Sequence, residues 1–328
     1  MLRSFGKTLG LLSAVTLLGM IGTAAAQNFP AKPLRVIVPY APGGTTTTVM
    51  RIYSQRLSEA WGQNLVIDNM PGGNTIIGSH AMTRAPADGY TLLFVSNTHV
   101  ITHLLGPKLP YDTLRDFAGV ATLTRSGYIL VVHSSVQAST IKELIALAKA
   151  KPGSINSAIV GTGTVNHLVS ELFAIMTDIK IVHVPYKGSG PIITDLMGGQ
   201  VQMFFAGGSS SVQLIKSGKV RAIAVTTHPE RMAIMPDLPT IAESGVPGYQ
   251  AGNWYALLAP AKTPAANIAR VNADVVKAQS MADVREMLDK QGLEPFASTP
   301  SQLDELIRVE IQRYAEVIKR ANIKAEVE

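Results

Sequence analysis

Residues 34–48 read LRVIVPYAPGGTTTT, and this stretch decides how the rest of the chain is interpreted. Its first six residues are apolar except for Arg35, which is typical of a buried strand. Two glycines and four threonines follow, and a helical spacing of apolar residues then runs from Val49 to Trp61. The pattern predicts a strand, a glycine turn and a helix. The first backbone N–H groups of such a helix lack internal partners and favour a negative group.

The same arrangement recurs halfway along the chain. Residues 155–164 read INSAIVGTGT, and a helical apolar spacing follows from Val165 to Met176. In both copies glycine allows the backbone to come close to a ligand. We call residues 40–48 the first cradle and residues 161–164 the second cradle. We predict that the two cradles lie on two lobes and face each other across a cleft.

The intervening segments alternate between the two kinds of element. Short apolar strands at 65–68 and 90–95 are separated by a glycine turn and a helical stretch, and the pattern continues after residue 141. This alternation predicts an α/β fold with mainly parallel sheets covered by helices. Ser96 and Asn97 follow the strand at 90–95, where open α/β sheets bind ligands, so both are candidate site residues.

Residues 1–26 have the pattern of a secretory signal peptide. Arg3 and Lys7 precede an apolar run, and three alanines end at Ala26. A transmembrane anchor is the alternative, but the run is shorter than the ~20 residues that a span needs. We therefore expect cleavage after Ala26 and a soluble, exported mature protein.

Composition limits the function classes. The chain of 328 residues has a net charge of +6, which falls to +4 once the two cations of the leader are removed. This weak, scattered positive charge suits an anionic ligand and excludes a nucleic-acid partner. The chain has no cysteine, so thiolate catalysis, thiolate metal sites and disulfides are excluded.

Several motifs suggest chemistry without completing a site. The second cradle begins like a dinucleotide fingerprint, but Asn166 stands at the third glycine position. His99 and His103 share a helix face without a third metal ligand, so no metal is predicted. Residues 209–211 are serines, yet the chain has no Gly-x-Ser-x-Gly elbow. His167 follows the second cradle, where it could donate to a bound carboxylate or only cap and pack.

Taken together, the motifs resemble the Bug family, the periplasmic solute-binding receptors of tripartite tricarboxylate transporters. The resemblance covers residues 29–322 and is carried by eight segments: VPYAPGG at 38–44, ADGYTLL at 87–93, LPYD at 109–112, VHVPYKGS at 182–189, GGQV at 198–201, KSGK at 216–219, PDLPT at 236–240 and LLAP at 257–260.

The resemblance implies a two-lobed Venus-flytrap fold of the type II periplasmic-binding class, with no catalysis and no cofactor. Lobe 1 would comprise residues 27–125 and 227–328, and lobe 2 residues 126–226. A monomeric receptor would close on a small organic carboxylate and deliver it to the permease subunits of the transporter. The expected ligand-binding residues are Tyr40, Pro42, Gly43, Gly44, Thr45, Thr47, Ser96, Asn97, Gly161, Thr162, Gly163, Thr164, His167, Gly207 and Ser209.

Four residues, at three places in the chain, depart from what is common in the family. Thr47 stands where aspartate is common, Ala206-Gly207 where Asp-Asn is common, and Met70 where arginine is usual. The hypothesis is that the loss of two acids from the cleft disfavours amino acids and admits a plain or bulkier carboxylate. A sensor that feeds a signalling kinase and a periplasmic hydrolase remain alternatives.

Overall fold

The computed structural model of the chain describes residues 29–40, 42, 45–106, 108–186, 189–207, 211, 214–227 and 229–323. The predicted signal peptide lies outside the described residues, and its cleavage after Ala26 stays a prediction. Within the described ranges, no helix combines the length and the apolar character that a bilayer crossing requires.

Strands and helices alternate along most of the described chain. In chain order they are β1 Leu34–Val38, α1 Thr45–Trp61, β2 Leu65–Asn69, α2 Ile76–Thr83, β3 Thr91–Ser96, α3 Asn97–Leu105, β4 Phe117–Ser126, β5 Tyr128–His133, α4 Ile141–Ala150, β6 Asn156–Ile159, α5 Val165–Thr177, β7 Val182–Pro185, α6 Ser189–Met197, β8 Met203–Gly207, β9 Val220–Val225, β10 Asn253–Pro260, α7 Ala265–Gln279, α8 Ala282–Asp289, β11 Glu294–Pro295 and α9 Pro300–Arg320.

The strands form two separate sheets. The order is β11-β4-β10-β3-β1-β2 in the first sheet and β7-β6-β8-β5-β9 in the second. β1 pairs in parallel with β2 and β3, and β6 pairs in parallel with β7 and β8. β10 and β5 pair antiparallel with their neighbours. The two-lobed α/β architecture is thus confirmed, but the sheets are mixed rather than mainly parallel, because β5 and β10 follow the crossings without a helical crossover.

The two crossings between the sheets lie against each other. The chain first crosses at Gly127, where an added Cβ would lie 2.5 Å from Thr227 Cγ2. The backbone N–H of Tyr128 donates to Thr226 Oγ1 at 2.8 Å, and that hydroxyl donates to the carbonyl of Ala251 at 2.7 Å. These bonds tie the crossing segments together at the base of the interlobe space.

The residues before β10 are bonded to the second lobe. Val225 N–H donates to Pro239 O at 2.9 Å, and Ile241 N–H donates to Val225 O at 2.9 Å. Farther along, Tyr249 Oη donates to the Val169 carbonyl of α5 at 3.0 Å. We therefore propose that the chain returns to the first lobe near residues 251–253, later than the boundary predicted at residue 227.

Apolar strands account for the core. Every residue of β1 except Arg35 is buried, and so is β3 from Leu92 to Ser96, as expected for strands covered on both faces. One apolar cluster includes Leu93 of the first sheet and Leu130 of the second. Helix α9 contacts β4, α3 and α5, so it connects the two lobes.

Candidate ligand-binding cleft

A cleft of about 1240 Å³ separates the two sheets. Residues at or beyond the carboxyl ends of β1 and β3 line one side, and residues at those of β6 and β8 line the other. Ser126, Tyr128 and Asn253 line it beside the crossings. Described residues of both cradles thus open into one cavity, at the sheet edges where α/β proteins bind ligands.

The first side of the cleft is organised around Tyr40. Its Oη lies 2.6 Å from Ser96 Oγ, and Ser96 Oγ also accepts the N–H of Thr98 at 3.2 Å as the N-cap of α3. Asn69 Nδ2 donates to the Tyr40 carbonyl at 2.9 Å. Burial raises the pKa of Tyr40, although its hydrogen bonds to Ser96 and Thr98 act in the opposite direction. The phenol therefore stays neutral and keeps a proton that it can donate.

Helix α1 begins at the cleft. Thr45 and Thr46 line it, and the first-turn N–H groups give this end of the helix a partial positive charge. Thr47 is only 2% exposed, does not line the cleft, and its hydroxyl has no hydrogen-bond partner. The prediction of Thr47 as a ligand contact is therefore corrected, because the helix turns this side chain towards the lobe core.

The second cradle is a compact loop between β6 and α5. Gly161 and Gly163 have φ values of +83° and +72°, which favour glycine. Thr164 Oγ1 donates to the Gly161 carbonyl at 2.9 Å and accepts the N–H of His167 at 3.3 Å. The N–H groups of residues 165 and 166, the first two of α5, have no intrahelical partner. All four loop residues line the cleft, so the helix end and its loop present donors there.

Asn166 fixes this loop to the second sheet. Its Oδ1 accepts the Val160 N–H at 3.0 Å, and its Nδ2 donates to the Phe205 carbonyl at 2.8 Å. The β6–β8 pairing stops at Ala158 and Phe204. The side chain therefore bridges the two strand ends where the backbone ladder has ended, and it sets the separation of β6 and β8 at the cleft.

His167 supports the second cradle from behind. Its Nδ1 accepts the Gly163 N–H at 3.0 Å, and its Nε2 lies 3.4 Å from Glu171 Oε1. The side chain is 7% exposed and does not line the cleft. Of the two roles that the sequence left open, the structure favours capping and packing. The prediction that His167 contacts the ligand is corrected accordingly.

The two lobes approach each other closely beside the second cradle. An added Cβ on Gly163 would lie 3.1 Å from Leu105 Cδ1, at the end of α3 in the first lobe. Leu105 also lines the cleft. Gly163 is thus needed both for its positive φ and for this contact across the cleft.

Sequence reasoning missed two tyrosines of the cleft, Tyr128 and Tyr255. Both line it, and burial raises the pKa of each hydroxyl, with a smaller effect from a neighbouring tyrosine. Tyr255 stacks on Phe94 at 5.6 Å between ring centroids, and Tyr40 meets the same ring edge-on at 6.2 Å. Tyr255 lies on β10, next to the crossing.

The described lining of the cleft carries no formal charge. It includes no Asp, Glu, Lys or Arg. Its polar groups are backbone amides, hydroxyls and side-chain amides, and its apolar part includes Ile76, Ile101, Ile193, Phe205 and Leu214. An anion in this cleft would be held by hydrogen-bond donors and helix ends instead of by a cationic side chain.

The remaining predicted site residues divide into three groups. Gly207 lines the cleft at the end of β8, whereas Pro42 is exposed and does not line it. Asn97 is fully buried: its Oδ1 accepts the Trp254 N–H at 2.8 Å, and its Nδ2 donates to Glu310 at 3.0 Å. The prediction of Asn97 as a ligand contact is corrected, whereas that of Pro42 stays a prediction. Three predicted residues lie outside the described residues: Gly43, Gly44 and Ser209.

Comparison with known proteins agrees with this architecture. The family model described as "Tripartite tricarboxylate transporter family receptor" matches residues 49–323. Protein BugT of Bordetella pertussis is 34% identical over 308 residues, which cover 93% of this chain and 94% of BugT. The Bug-family resemblance predicted from the sequence is thereby confirmed.

Two solved structures extend the comparison. An R. palustris protein with adipate is 33% identical, with a TM-score of 0.74, over 91% of this chain and 100% of that chain. MatC from Rhodopseudomonas palustris, with bound malate, is 32% identical, with a TM-score of 0.69, over 88% of this chain and 100% of that chain. Such relatives are receptors and not enzymes. This chain belongs to the tripartite tricarboxylate transporter family of periplasmic solute-binding receptors.

Proposed function

We propose that this receptor captures a small carboxylate in the interlobe cleft and delivers it to the membrane permease of a tripartite transporter. The observation that carries the proposal is the described lining of the cleft. It contains no charged side chain, yet it includes the N-terminal ends of α1 and α5. Helix ends and preorganised N–H groups bind anions without a cationic side chain.

Three contact groups would hold the carboxylate in this proposal. Tyr40 and the first turn of α1 would bind at the first lobe, and residues 161–164 with the first turn of α5 at the second. Gly207 and the tyrosine hydroxyls would border the body of the ligand. Hydrogen bonds of this kind, from neutral donors to an ionised acceptor, are about twice as strong as bonds between neutral groups.

The positions of the three family departures in the structure narrow the basis of the ligand hypothesis. Thr47 faces the core. Met70 does not line the cleft, and its sulfur contacts Arg35 at 3.5 Å. Of the three departures, only Ala206-Gly207 borders the cleft. The preference for a carboxylate without an amino group therefore rests on Ala206 and on the lack of any acid in the described lining, since an ammonium group would have no counter-charge there.

Two of the solved relatives hold aliphatic dicarboxylates, adipate and malate. A dicarboxylate has an anionic group for each helix end and an apolar body for the side chains between them. Substrate capture would proceed by lobe closure about the crossings, in which the ligand binds the closed state more tightly than the open one.

Isothermal titration of the purified protein with matched pairs tests the proposal. Glutarate and succinate are compared with glutamate and aspartate, which add an amino group to the same carbon chains, and adipate and malate are titrated beside them. We expect measurable binding of at least one plain dicarboxylate and at least about tenfold weaker binding of the amino acids. Tighter binding of aspartate or glutamate would defeat the ligand hypothesis, and no binding of any carboxylate at millimolar concentration would defeat the function.

Delivery to a permease needs a separate experiment. Deletion of the gene should abolish uptake of the bound carboxylate by intact cells, and the wild-type copy should restore it. Uptake that persists without the receptor would reject the transport role.

A further inference from the structure

A second polar cluster lies behind the second cradle and outside the cleft lining. It is formed by His167 and Glu171 of α5 and by His183 of β7, whose nearest ligand atoms all lie within 4.8 Å of one another. Glu171 Oε1 is 3.4 Å from His167 Nε2 and 3.1 Å from His183 Nδ1. Among the described residues, this is the one group of three or more His, Asp or Glu side chains with such spacing.

We propose that His167, Glu171 and His183 form a binding site for a divalent transition-metal ion, with Zn²⁺ as the ion that their chemistry suits best. Two imidazoles and one carboxylate are a common three-ligand zinc set, and a water molecule or another ligand completes the tetrahedron. Ligand atoms about 2 Å from a tetrahedral ion lie roughly 3.3 Å from one another. The observed distances around Glu171 are already close to that value.

The surroundings of His183 fit a metal ligand. Its Nε2 lies 2.9 Å from Ser170 Oγ, and Ser170 Oγ lies 2.9 Å from Ser157 Oγ. A histidine that binds metal through Nδ1 donates its Nε2–H to such a partner, which fixes the ring orientation. Glu171 and His183 also keep 18% and 13% of their side-chain surfaces exposed, so an ion can reach the cluster from solvent.

The carboxylate at the centre of the cluster is ionised. Burial alone would raise the pKa of Glu171, but hydrogen bonds from His167 and His183 outweigh burial and lower the pKa to about 2. An ionised oxygen between two imidazoles is a ready ligand for a cation. The same arrangement serves as a hydrogen-bonded triad when no ion is bound.

Metal binding would change the second cradle. A neutral imidazole carries one proton, so a His167 that binds metal through Nε2 must carry its proton on Nδ1. Nδ1 now accepts the Gly163 N–H at 3.0 Å. Protonated Nδ1 cannot accept that bond, so the ion and the present Gly163 contact exclude each other. Occupation of the metal site therefore releases the Gly163 amide.

Titration of chelator-treated protein without a histidine tag tests the site directly. Calorimetry with ZnCl₂ should show one saturable ion per chain. Glu171→Gln and His183→Gln should each weaken binding by more than the roughly 10- to 100-fold that loss of an outer-shell partner causes. His103→Gln is the matched control, because His103 is an exposed histidine outside the cluster, and this variant should bind like the wild type.

Thermal unfolding without metal separates loss of the site from loss of the fold. If a ligand variant does not fold, Ser170→Ala takes its place, with an expected 10- to 100-fold loss of Zn²⁺ affinity. Binding that is equal in the wild type and in the folded ligand or Ser170 variants would overturn the proposal. So would the absence of a saturable site in the wild type.

Nuclear magnetic resonance of [¹⁵N]glycine-labelled protein tests the coupling without any carboxylate. Saturating Zn²⁺ should shift the Gly163 amide resonance in the wild type and leave it in place in His183→Gln. An unmoved Gly163 resonance at saturation would disprove the link between the ion and the cradle.

Discussion

The loop after β6 is held by side chains of its own helix, whereas the segment after β1 is held by side chains of neighbouring strands. Thr164, Asn166 and His167 all bond to backbone groups within or beside the second cradle. On the first side, Asn69 of β2 and Ser96 of β3 bond to Tyr40. Two similar helix ends are thus positioned by different means.

This difference has a structural consequence. A loop held by the helix that follows it keeps its shape wherever that helix goes, so the second cradle can move with its lobe as one unit. The first side depends on the register of three strands, β2, β1 and β3. Substitutions in the second cradle should therefore act locally, and those on the first side should act through the sheet.

Buried histidines of the two lobes also differ in their hydrogen bonding. His167 and His183 are bonded to Glu171. His99 of α3 is 1% exposed, and neither ring nitrogen has a hydrogen-bond partner. It stacks on Tyr111, with 6.1 Å between ring centroids. The first lobe thus buries a histidine whose ring makes packing contacts and whose nitrogens have no hydrogen-bond partner.

The largest expected effect is a loss of stability in acid that arises from the buried histidine of the first lobe. Burial, with a smaller effect from the His103 charge, lowers the pKa of His99 from 6.5 to about 4. Between these values the unfolded chain binds the proton more tightly, so this contribution to the free energy of unfolding is complete above pH 6.5 and falls as the pH drops towards 4. The loss attributable to His99 is about 3 kcal/mol, measured by denaturant unfolding across that range.

The control is His99→Leu, which keeps the apolar packing and removes the titrating group. Its unfolding free energy should fall less between pH 6.5 and 4 than that of the wild type. Parallel pH profiles for the two proteins would show that His99 does not titrate as its burial requires.

Removal of Asn166 comes next in expected effect. Asn166→Ala leaves the Val160 N–H and the Phe205 carbonyl without their side-chain partner, which should lower the unfolding free energy by about 2 kcal/mol. Asn69→Ala is the matched change on the first side; it removes a single bond, to the Tyr40 carbonyl, and should cost about 1 kcal/mol. Chemical denaturation measures both. Equal losses would contradict the contrast between the two sides.

Gly163 and Gly161 test whether the cross-cleft contact matters. Gly161→Ala should cost about 1 kcal/mol of unfolding free energy because of its positive φ alone. Gly163→Ala carries the same strain and also presses on Leu105, so we expect about 1.5 kcal/mol. In a Leu105→Ala background the two glycine variants should become equal in thermal unfolding. A difference that survives there would mean that Leu105 is not its cause.

The sequence predicted what is local and missed what depends on distant residues. A strand, glycines and an apolar helix pattern were sufficient to locate both helix ends. Asn97 follows β3 as predicted, yet its amide is bound by Trp254, Glu310 and Tyr314. No pattern near residue 97 could reveal those partners.

Helical spacing carried information that the sequence interpretation did not use. Thr47 lies three residues before Met50 and six before Tyr53, both of which are buried on α1, so its inward position follows the period of the helix. His167 and Glu171 are four residues apart and share a face of α5 in the same way. The prediction that the chain has no metal site considered His99 and His103 and not this pair.

The smallest expected effect concerns the Tyr40 hydroxyl. Tyr40→Phe keeps the ring against Phe94 and removes the bond to Ser96 Oγ, which should lower the unfolding free energy by about 1 kcal/mol. If the hydroxyl also binds the carboxylate, the affinity should fall about 3- to 10-fold, measured by calorimetry. Tyr90→Phe is the control, because the Tyr90 hydroxyl accepts the Ala31 N–H outside the cleft. Equal affinities for the two variants would show that the Tyr40 hydroxyl does not bind the ligand and has only a structural role.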